Sequence, residues 1–190
     1  MKAAHHAAVA LVVALAGPAY GEDVYVIDPT HTFPNFEIMH GGYSLQRGSF
    51  LGASGKVTLD RAAKKGSVSV TIDAASVDSR MPARDVHLRS ERFLDVAKYP
   101  TITFKSSEFR FDGDNVSAVD GELTMHGVTK PVKLSVTNFK CGQSPFARDK
   151  QMCGAEITAM IKRSEWGITT GIPNIADDVR IAIPIEAIRE

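Results

Sequence analysis

Hydrophobic and polar residues alternate along most of this chain, which is the pattern of β-strands with one apolar face and one polar face. Turn residues separate the alternating segments, as in DGDN (112–115) and HGVTKP (126–131). Many short antiparallel strands without intervening helical periods predict an all-β barrel or sandwich. The alternating segments are KVTLD (56–60), SVSVTID (67–73), TITFKS (101–106), VDGELTM (119–125), VKLSVTNF (132–139), AEITAMI (155–161) and VRIAIPI (179–185).

One segment departs from this alternation, MPARDVHLRSERFLDVAKYP (81–100), because its apolar residues recur at helical spacings. Pro82 suits a first helical turn, Ser90 can cap a second short helix, and Pro100 must end it. We therefore predict a helical segment that interrupts the strands and lies over one end of a barrel.

The length and charge of the chain limit the number of domains and the kinds of partner that it can have. Its 190 residues suit one domain with a sizeable core. Its 22 basic and 22 acidic residues balance, so no overall field attracts nucleic acid or an anionic membrane surface. We expect no nucleic-acid partner.

The N-terminus has the layout of a secretory signal peptide. The apolar run at 7–16 is too short to span a bilayer, and Ala19 and Gly21 are small where a signal peptidase requires small residues. We predict a signal peptide over residues 1–21 that is cut before Glu22, so that 22–190 form an exported, soluble, periplasmic domain. No later stretch is apolar enough to serve as an integral membrane segment.

Cys141 and Cys153 suit an exported chain. Both stand outside the alternating segments, close to Pro145 and several glycines, so we predict that they face each other across one long loop. An even cysteine count in an exported protein favours a disulfide. Closing a loop of this size stabilises the fold by roughly 3 kcal/mol in the chain-entropy model. The alternative, half of a thiolate metal site, lacks the close Cys-x-x-Cys spacing.

The charged cluster RDVHLRSERFLD (84–95) is the strongest candidate for catalytic chemistry. Asp85 and His87 are two positions apart, and on a helix such residues point away from each other instead of forming an acid–base pair. No serine elbow, Cys–His pairing or Gly-rich phosphate loop accompanies them. The histidines after the signal lack His-x-His or His-Glu-x-x-His spacing, so we expect neither a metal site nor a catalytic centre.

Several motifs occur together in a characteristic order, and with them the chain from residue 25 to its C-terminus resembles the YceI-like family of exported polyisoprenoid-binding proteins. The resemblance implies an elongated eight-stranded antiparallel lipocalin-like barrel, with a short helical segment near one end and a long isoprenoid lipid inside. The motifs are DPTHT (28–32), RGSF (47–50), SVDSR (76–80), RDVHLRSERFLDVAKYPTITFKS (84–106), GELTMHGVTKPV (121–132) and IKRSEWGI (161–168).

The residues leave the nature of the interior open. Inward positions carry mostly medium-sized side chains, and an eight-stranded barrel has room either for a packed core or for one ligand. The side chains expected to contact lipid are Phe36, Ile38, Val70, Ile72, Leu88, Phe93, Ile102, Phe104, Met125, Val136, Ala159 and Trp166.

In such a barrel, the charged cluster at 84–95 is expected to form a lid over the open end. Leu88 is expected to face the barrel mouth with Phe93, while Arg84, Asp85 and Arg89 anchor the helix to neighbouring loops through paired charges. Arg84, His87 and Arg89 are the candidates for a lid or head-group role, since arginine donors suit phosphate or carbonyl oxygens. Simple anchoring is the favoured interpretation for each arginine.

Two functions follow from the resemblance. The first is a non-catalytic periplasmic carrier that needs no cofactor and sequesters an isoprenoid lipid, either a quinone or a polyprenyl phosphate. The alternative is an enzyme that modifies or hydrolyses such a lipid through His87 or His40. The sequence leaves open whether the chain forms a homodimer.

Overall fold

The computed structural model describes residues 21–146 and 148–190. The predicted signal peptide, apart from Gly21, lies outside the described residues. These residues form antiparallel strands and one helix, α1 (Pro82–Arg89). The strands are β1 (Asp23–Ile27), β2 (Asn35–His40), β3 (Ser44–Phe50), β4 (Ala53–Asp60), β5 (Lys65–Asp73), β6 (Val77–Asp78), β7 (Thr101–Asp112), β8 (Asn115–Met125), β9 (Val128–Gln143), β10 (Gln151–Lys162) and β11 (Ile175–Arg189).

Eight of these strands close into a barrel. They follow the order β1-β4-β5-β7-β8-β9-β10-β11, and β11 pairs back with β1. Each neighbouring pair is antiparallel, for example Val70 of β5 opposite Phe104 of β7. The predicted eight-stranded antiparallel barrel with one short helix is therefore confirmed.

The length of β11 explains why the barrel is elongated. Its C-terminal part pairs with β1, with Ala187 opposite Ile27. Its N-terminal part pairs with β2, with Ala182 opposite Asn35. The β2–β3 hairpin therefore continues the wall beyond the end of β1, and the 15 residues of β11 extend over roughly 50 Å at about 3.3 Å per residue.

The hairpin and α1 lie at the same end of the barrel, because Arg84 of α1 donates a hydrogen bond to Gln46 of β3. We call this end the mouth. Along each strand, outward side chains such as Met160 of β10 alternate with inward ones, as the strand period of two residues requires. Within the described part of the chain, no helix has the length and apolar character needed to cross a membrane.

The predicted second helix after Ser90 is wrong. Ser90 ends α1, and its N and Oγ donate hydrogen bonds to the carbonyl of His87. The chain then turns back: Leu94 N donates to the carbonyl of Leu88, and Val96 N donates to that of Arg89. These bonds satisfy carbonyls that a helix end leaves without partners, so residues 91–99 form turns over the barrel.

Cys141 and Cys153 form a disulfide, as predicted. Their predicted location in a loop is wrong, however, because they lie directly opposite each other in β9 and β10. These two strands run further than the apolar alternation suggested, and only residues 144–150 connect them. Directly opposed positions in an antiparallel pair bring the two Cβ atoms close enough for a disulfide.

Candidate functional site

The barrel encloses a cavity of about 680 Å³ whose wall is almost entirely apolar. The inward residues of the alternating segments form this wall, as Val68, Val70 and Ile72 of β5 illustrate. A cavity, and not a self-filled core, therefore occupies the interior. The predicted contact residues that line it are Phe36, Ile38, Val70, Ile72, Leu88, Phe93, Ile102, Phe104, Met125 and Val136.

The remaining two predicted contacts do not line the cavity. Ala159 packs against the hydrophobic core of the wall. Trp166 is 1% exposed, and its Nε1 donates a hydrogen bond to the carbonyl of Leu123 at 3.2 Å. The alternation of β10 stops at Ile161, and a 3₁₀ turn over residues 163–166 then places the indole inside the wall. Trp166 is therefore part of the packed wall and not of the cavity lining.

The two ends of the cavity differ. His40 and His87 are exposed and also line the cavity, so it reaches the surface at the mouth. At the opposite end the lining residues Tyr25, Leu59 and Cys153 are buried, and the disulfide joins β9 to β10 at this level. The cavity thus has an accessible end at the mouth, and buried side chains line its opposite end.

Arg84 and Asp85 fasten α1 at the mouth through Ser79. Arg84 donates from Nε to Ser79 Oγ at 2.8 Å, from Nη2 to the Ser79 carbonyl at 2.9 Å, and from Nη1 to Gln46 Oε1 at 2.6 Å. Asp85 is buried, and its Oδ1 accepts hydrogen bonds from Ser79 Oγ at 2.5 Å and Ser79 N at 2.7 Å. These bonds hold the pKa of Asp85 below its usual value, against the opposing effect of burial.

Arg89 anchors the other end of α1. Its Nε donates to the carbonyl of Ala75 at 2.7 Å, and its Nη2 donates to the carbonyl of Val77 at 2.8 Å. Because these bonds direct Arg89 to the backbone and away from the cavity wall, the head-group role considered for it is not supported. The expected paired charges are also wrong: Arg84 and Arg89 bond to hydroxyl and carbonyl oxygens, and no carboxylate is paired with either in the described residues.

Three side chains of the lid face the cavity. His87 packs its ring edge-on against Phe93, with the ring centroids 5.0 Å apart, and Leu88 lies beside them in the lining. Asp85 is engaged with Ser79, and in the described residues no hydrogen bond joins it to His87. Asp85 and His87 therefore do not form an acid–base pair with each other in the described residues.

Arg163 is a lining residue that sequence reasoning missed. It is 4% exposed and donates hydrogen bonds to the carbonyls of Ile168, Ala176 and Ile175. Burial lowers the pKa of Arg163, and Asp177 opposes that effect. No Asp or Glu is found among the described residues that line the cavity, so its charged side chains are arginines. The KRSEW motif was the available signal, but spacing alone could not show where its arginine points.

Comparison with known proteins identifies the family. Residues 25–187 match the family model described as a YceI-like domain. This chain belongs to the YceI-like family. Protein YceI of Escherichia coli O17:K52:H18 is 39% identical to it over 180 residues, which cover 92% of this chain and 91% of that protein. The resemblance noted in the motifs is therefore confirmed.

Solved structures share the YceI-like barrel. BcnA of Burkholderia cenocepacia aligns with a TM-score of 0.69 and 26% identity, over 84% of this chain and 98% of that one. A polyisoprenoid binding domain from Saccharophagus degradans, described as implicated in plant cell wall breakdown, aligns with a TM-score of 0.62. That alignment covers 87% of this chain and 98% of the domain at 18% identity, so this second likeness concerns the fold.

The DPTHT motif of this YceI-like chain lies between β1 and β2 beside Glu186 of β11, and its Thr32 is buried and lines the cavity. Asp28, His31 and Glu186 bring possible metal-ligating atoms within 4.8 Å of one another. Hydrogen bonds account for the arrangement: Asp28 Oδ1 accepts from Thr30 N and Oγ1, and Asp28 Oδ2 lies 2.8 Å from His31 Nδ1. The bonds from Thr30 and His31 lower the pKa of Asp28, and Asp28 raises that of His31. We interpret this cluster as a set of hydrogen bonds that secures the turn.

Proposed function

We propose that this protein is a non-catalytic periplasmic carrier that sequesters one long-chain isoprenoid lipid, such as a quinone or a polyprenyl phosphate, inside the barrel. The observation that carries the proposal is the apolar cavity of about 680 Å³ that runs along the barrel and reaches the surface at the mouth. This volume lies within the range of roughly 300–1,000 Å³ that is usual for small-molecule sites. The tubular shape suits an extended chain better than a compact ligand.

The chemistry of the wall supports a hydrocarbon ligand. Burying one methylene contributes about 0.8 kcal/mol, so each five-carbon unit adds roughly 4 kcal/mol before the cost of ordering the chain. A few such units already approach the practical limit of non-covalent affinity, near −20 kcal/mol. Affinity is thus easily obtained, and the polar groups at the mouth serve to orient and release the lipid.

The mouth supports a polar head group at the accessible end. Arg84 uses three of its five N–H donors on Ser79 and Gln46, which leaves two for an acceptor on the ligand. A guanidinium suits the oxygens of either a phosphate or a quinone carbonyl. The family membership and the fold shared with a polyisoprenoid binding domain agree with this ligand class.

The direct experiment is to express the full chain with its own N-terminus and purify it from the periplasmic fraction without denaturation. Organic extraction and mass spectrometry should recover an isoprenoid lipid in near-stoichiometric amount, chemically unchanged, from a protein that begins at Glu22. Protein that carries no lipid and binds no added isoprenoid would refute the carrier. Turnover of an isoprenoid by delipidated protein, lost in the His87→Ala variant, would instead establish the enzyme.

A further inference from the structure

A glycine in the barrel wall lies beneath a phenylalanine ring halfway along the tube. Gly48 of β3 is directly opposite Phe36 of β2, and Phe36 in turn is opposite Ile181, near the middle of β11. A methyl group added to Gly48 would stand 2.4 Å from Cζ and 2.7 Å from Cε1 of the Phe36 ring. The ring therefore occupies the space that any side chain at position 48 would need.

The position of the ring matters because Phe36 lines the cavity. Its neighbour Phe50 lies 6.0 Å away between ring centroids and lines the same stretch of wall. Ring packing in an interior is dense, so a ring displaced from the wall has to move into the open lumen. The nearest backbone atom to the added methyl, the carbonyl oxygen of Asp78, is 3.1 Å away and leaves the phenyl ring as the main obstacle.

We infer that Gly48 sets the width of the lumen at its middle by letting the Phe36 ring lie against the wall, and that this pair selects lipids by the length of their chain. The inference rests on the carrier function proposed above. A short isoprenoid fits between the mouth and Phe36, whereas a long one must pass the ring to reach the half of the tube that ends at the disulfide. Gly48 is in this sense a specificity-determining residue.

Two other glycine–phenylalanine contacts occur in the wall, but they are poorer tests. A methyl on Gly121 would lie 2.5 Å from the ring of Phe104 and also 2.6 Å from the backbone oxygen of Lys105. A methyl on Gly66 would meet the ring of Phe109 and the backbone oxygen of Thr58, both at 2.9 Å. Substitution there would strain the sheet itself, whereas at Gly48 the ring takes most of the displacement.

The experiment compares Gly48→Ala with the wild-type protein after delipidation, using octaprenol and farnesol as probes. We expect the affinity for octaprenol to fall by at least about tenfold, since the long chain loses burial beyond the ring, while that for farnesol changes by less than about threefold. Gly142→Ala is the matched control, because a methyl there has no atom within 4 Å. The double variant Gly48→Ala, Phe36→Leu should recover octaprenol binding.

A crystal structure of delipidated Gly48→Ala provides a readout that does not depend on the ligand. We expect the Phe36 ring to be displaced into a narrower lumen; an unmoved ring would overturn the inference even if the carrier function is correct. Equal loss of both probes in Gly48→Ala, or no loss of either, would also overturn it. Wild-type protein that binds neither probe would refute the carrier function and with it the selection. If Gly48→Ala does not fold, Phe36→Trp narrows the same level and must show the same discrimination.

Discussion

Replacing Asp85 with asparagine tests whether the lid is held by a buried carboxylate. Asp85 is 7% exposed, and its Oδ1 accepts two hydrogen bonds from Ser79. Bonds to a charged group contribute about 1.5–3 kcal/mol each, compared with about 1 kcal/mol for neutral ones. Because the amide keeps the shape but loses the charge, we expect Asp85→Asn to cost about 2 kcal/mol in the free energy of unfolding. For a domain of this size that cost lowers the melting temperature by about 4–8 °C.

The effect must depend on pH in a defined direction. The hydrogen bonds from Ser79 lower the pKa of Asp85 in the folded state. The stability that this carboxylate contributes is therefore fully present above the unfolded pKa of about 3.9, and it is lost as the pH falls through the folded pKa. The difference between wild type and Asp85→Asn should be largest at neutral pH and should shrink on acidification.

Chemical and thermal unfolding followed by circular dichroism measures both quantities. Asp60→Asn is the matched control, since Asp60 accepts a single hydrogen bond from Ala63 N in an exposed turn. It should change the free energy of unfolding by less than about 0.5 kcal/mol. Equal effects of the two substitutions at neutral pH, or an Asp85→Asn difference that persists undiminished at low pH, would show that the carboxylate does not hold the lid.

Three further predictions concern the wall, the lid and the disulfide. Val70→Trp should abolish lipid co-purification without unfolding the barrel, whereas Met160→Trp on the outer face should leave the bound lipid in place. Mass spectrometry measures the lipid bound to each variant, and circular dichroism shows whether the variant is folded. Leu88→Ala should accelerate lipid exchange severalfold in a fluorescent-lipid transfer assay, and Val86→Ala on the exposed side of α1 should not; equal rates would make Leu88 a passive wall residue. Alkylation of native, unreduced protein should label no cysteine, and reduction should cost roughly 3 kcal/mol in the free energy of unfolding; labelling without reductant would contradict the disulfide.

The interior of the barrel was the most predictable part of the structure. Alternation specifies which side chains share a face, and a closed barrel has one inward face per strand, so the pattern in β5 translates directly into lining residues such as Val70 and Ile72. Ala159 shows the limit of this reasoning, because it alternates in step with the inward residues of β10 but packs within the wall. Side-chain size does not explain the difference, because Ala155 of the same strand lines the cavity. Alternation fixes the direction of a side chain but not whether the cavity extends to its position.

The mouth was much less predictable, because its contacts join residues far apart in the chain. Nothing in the spacing of Arg84 reveals that Gln46 will accept its hydrogen bond, since the β2–β3 hairpin must first bring β3 beside α1. The same holds for Arg163, whose acceptors Ala176 and Ile175 belong to the start of β11. The local sequence pattern predicts strands and helices, but the long-range partners of polar side chains depend on how those strands and helices pack together.

Arg89 and Gly48 act on different properties of the carrier, since Arg89 holds the lid and Gly48 shapes the lumen. Arg89 ties α1 to the carbonyls of Ala75 and Val77 and does not line the cavity, so these bonds make no demand on the ligand. The wall positions that set the shape of the lumen, such as Gly48, carry no bond to the lid. Changes to Arg89 should therefore alter the rate of lipid exchange at constant selectivity, and changes at Gly48 should alter selectivity at constant lid stability, because among the described residues Arg89 does not line the cavity and Gly48 carries no bond to α1. A carrier needs this independence, since an apolar tube binds long chains tightly and its usefulness then depends on how readily the mouth opens.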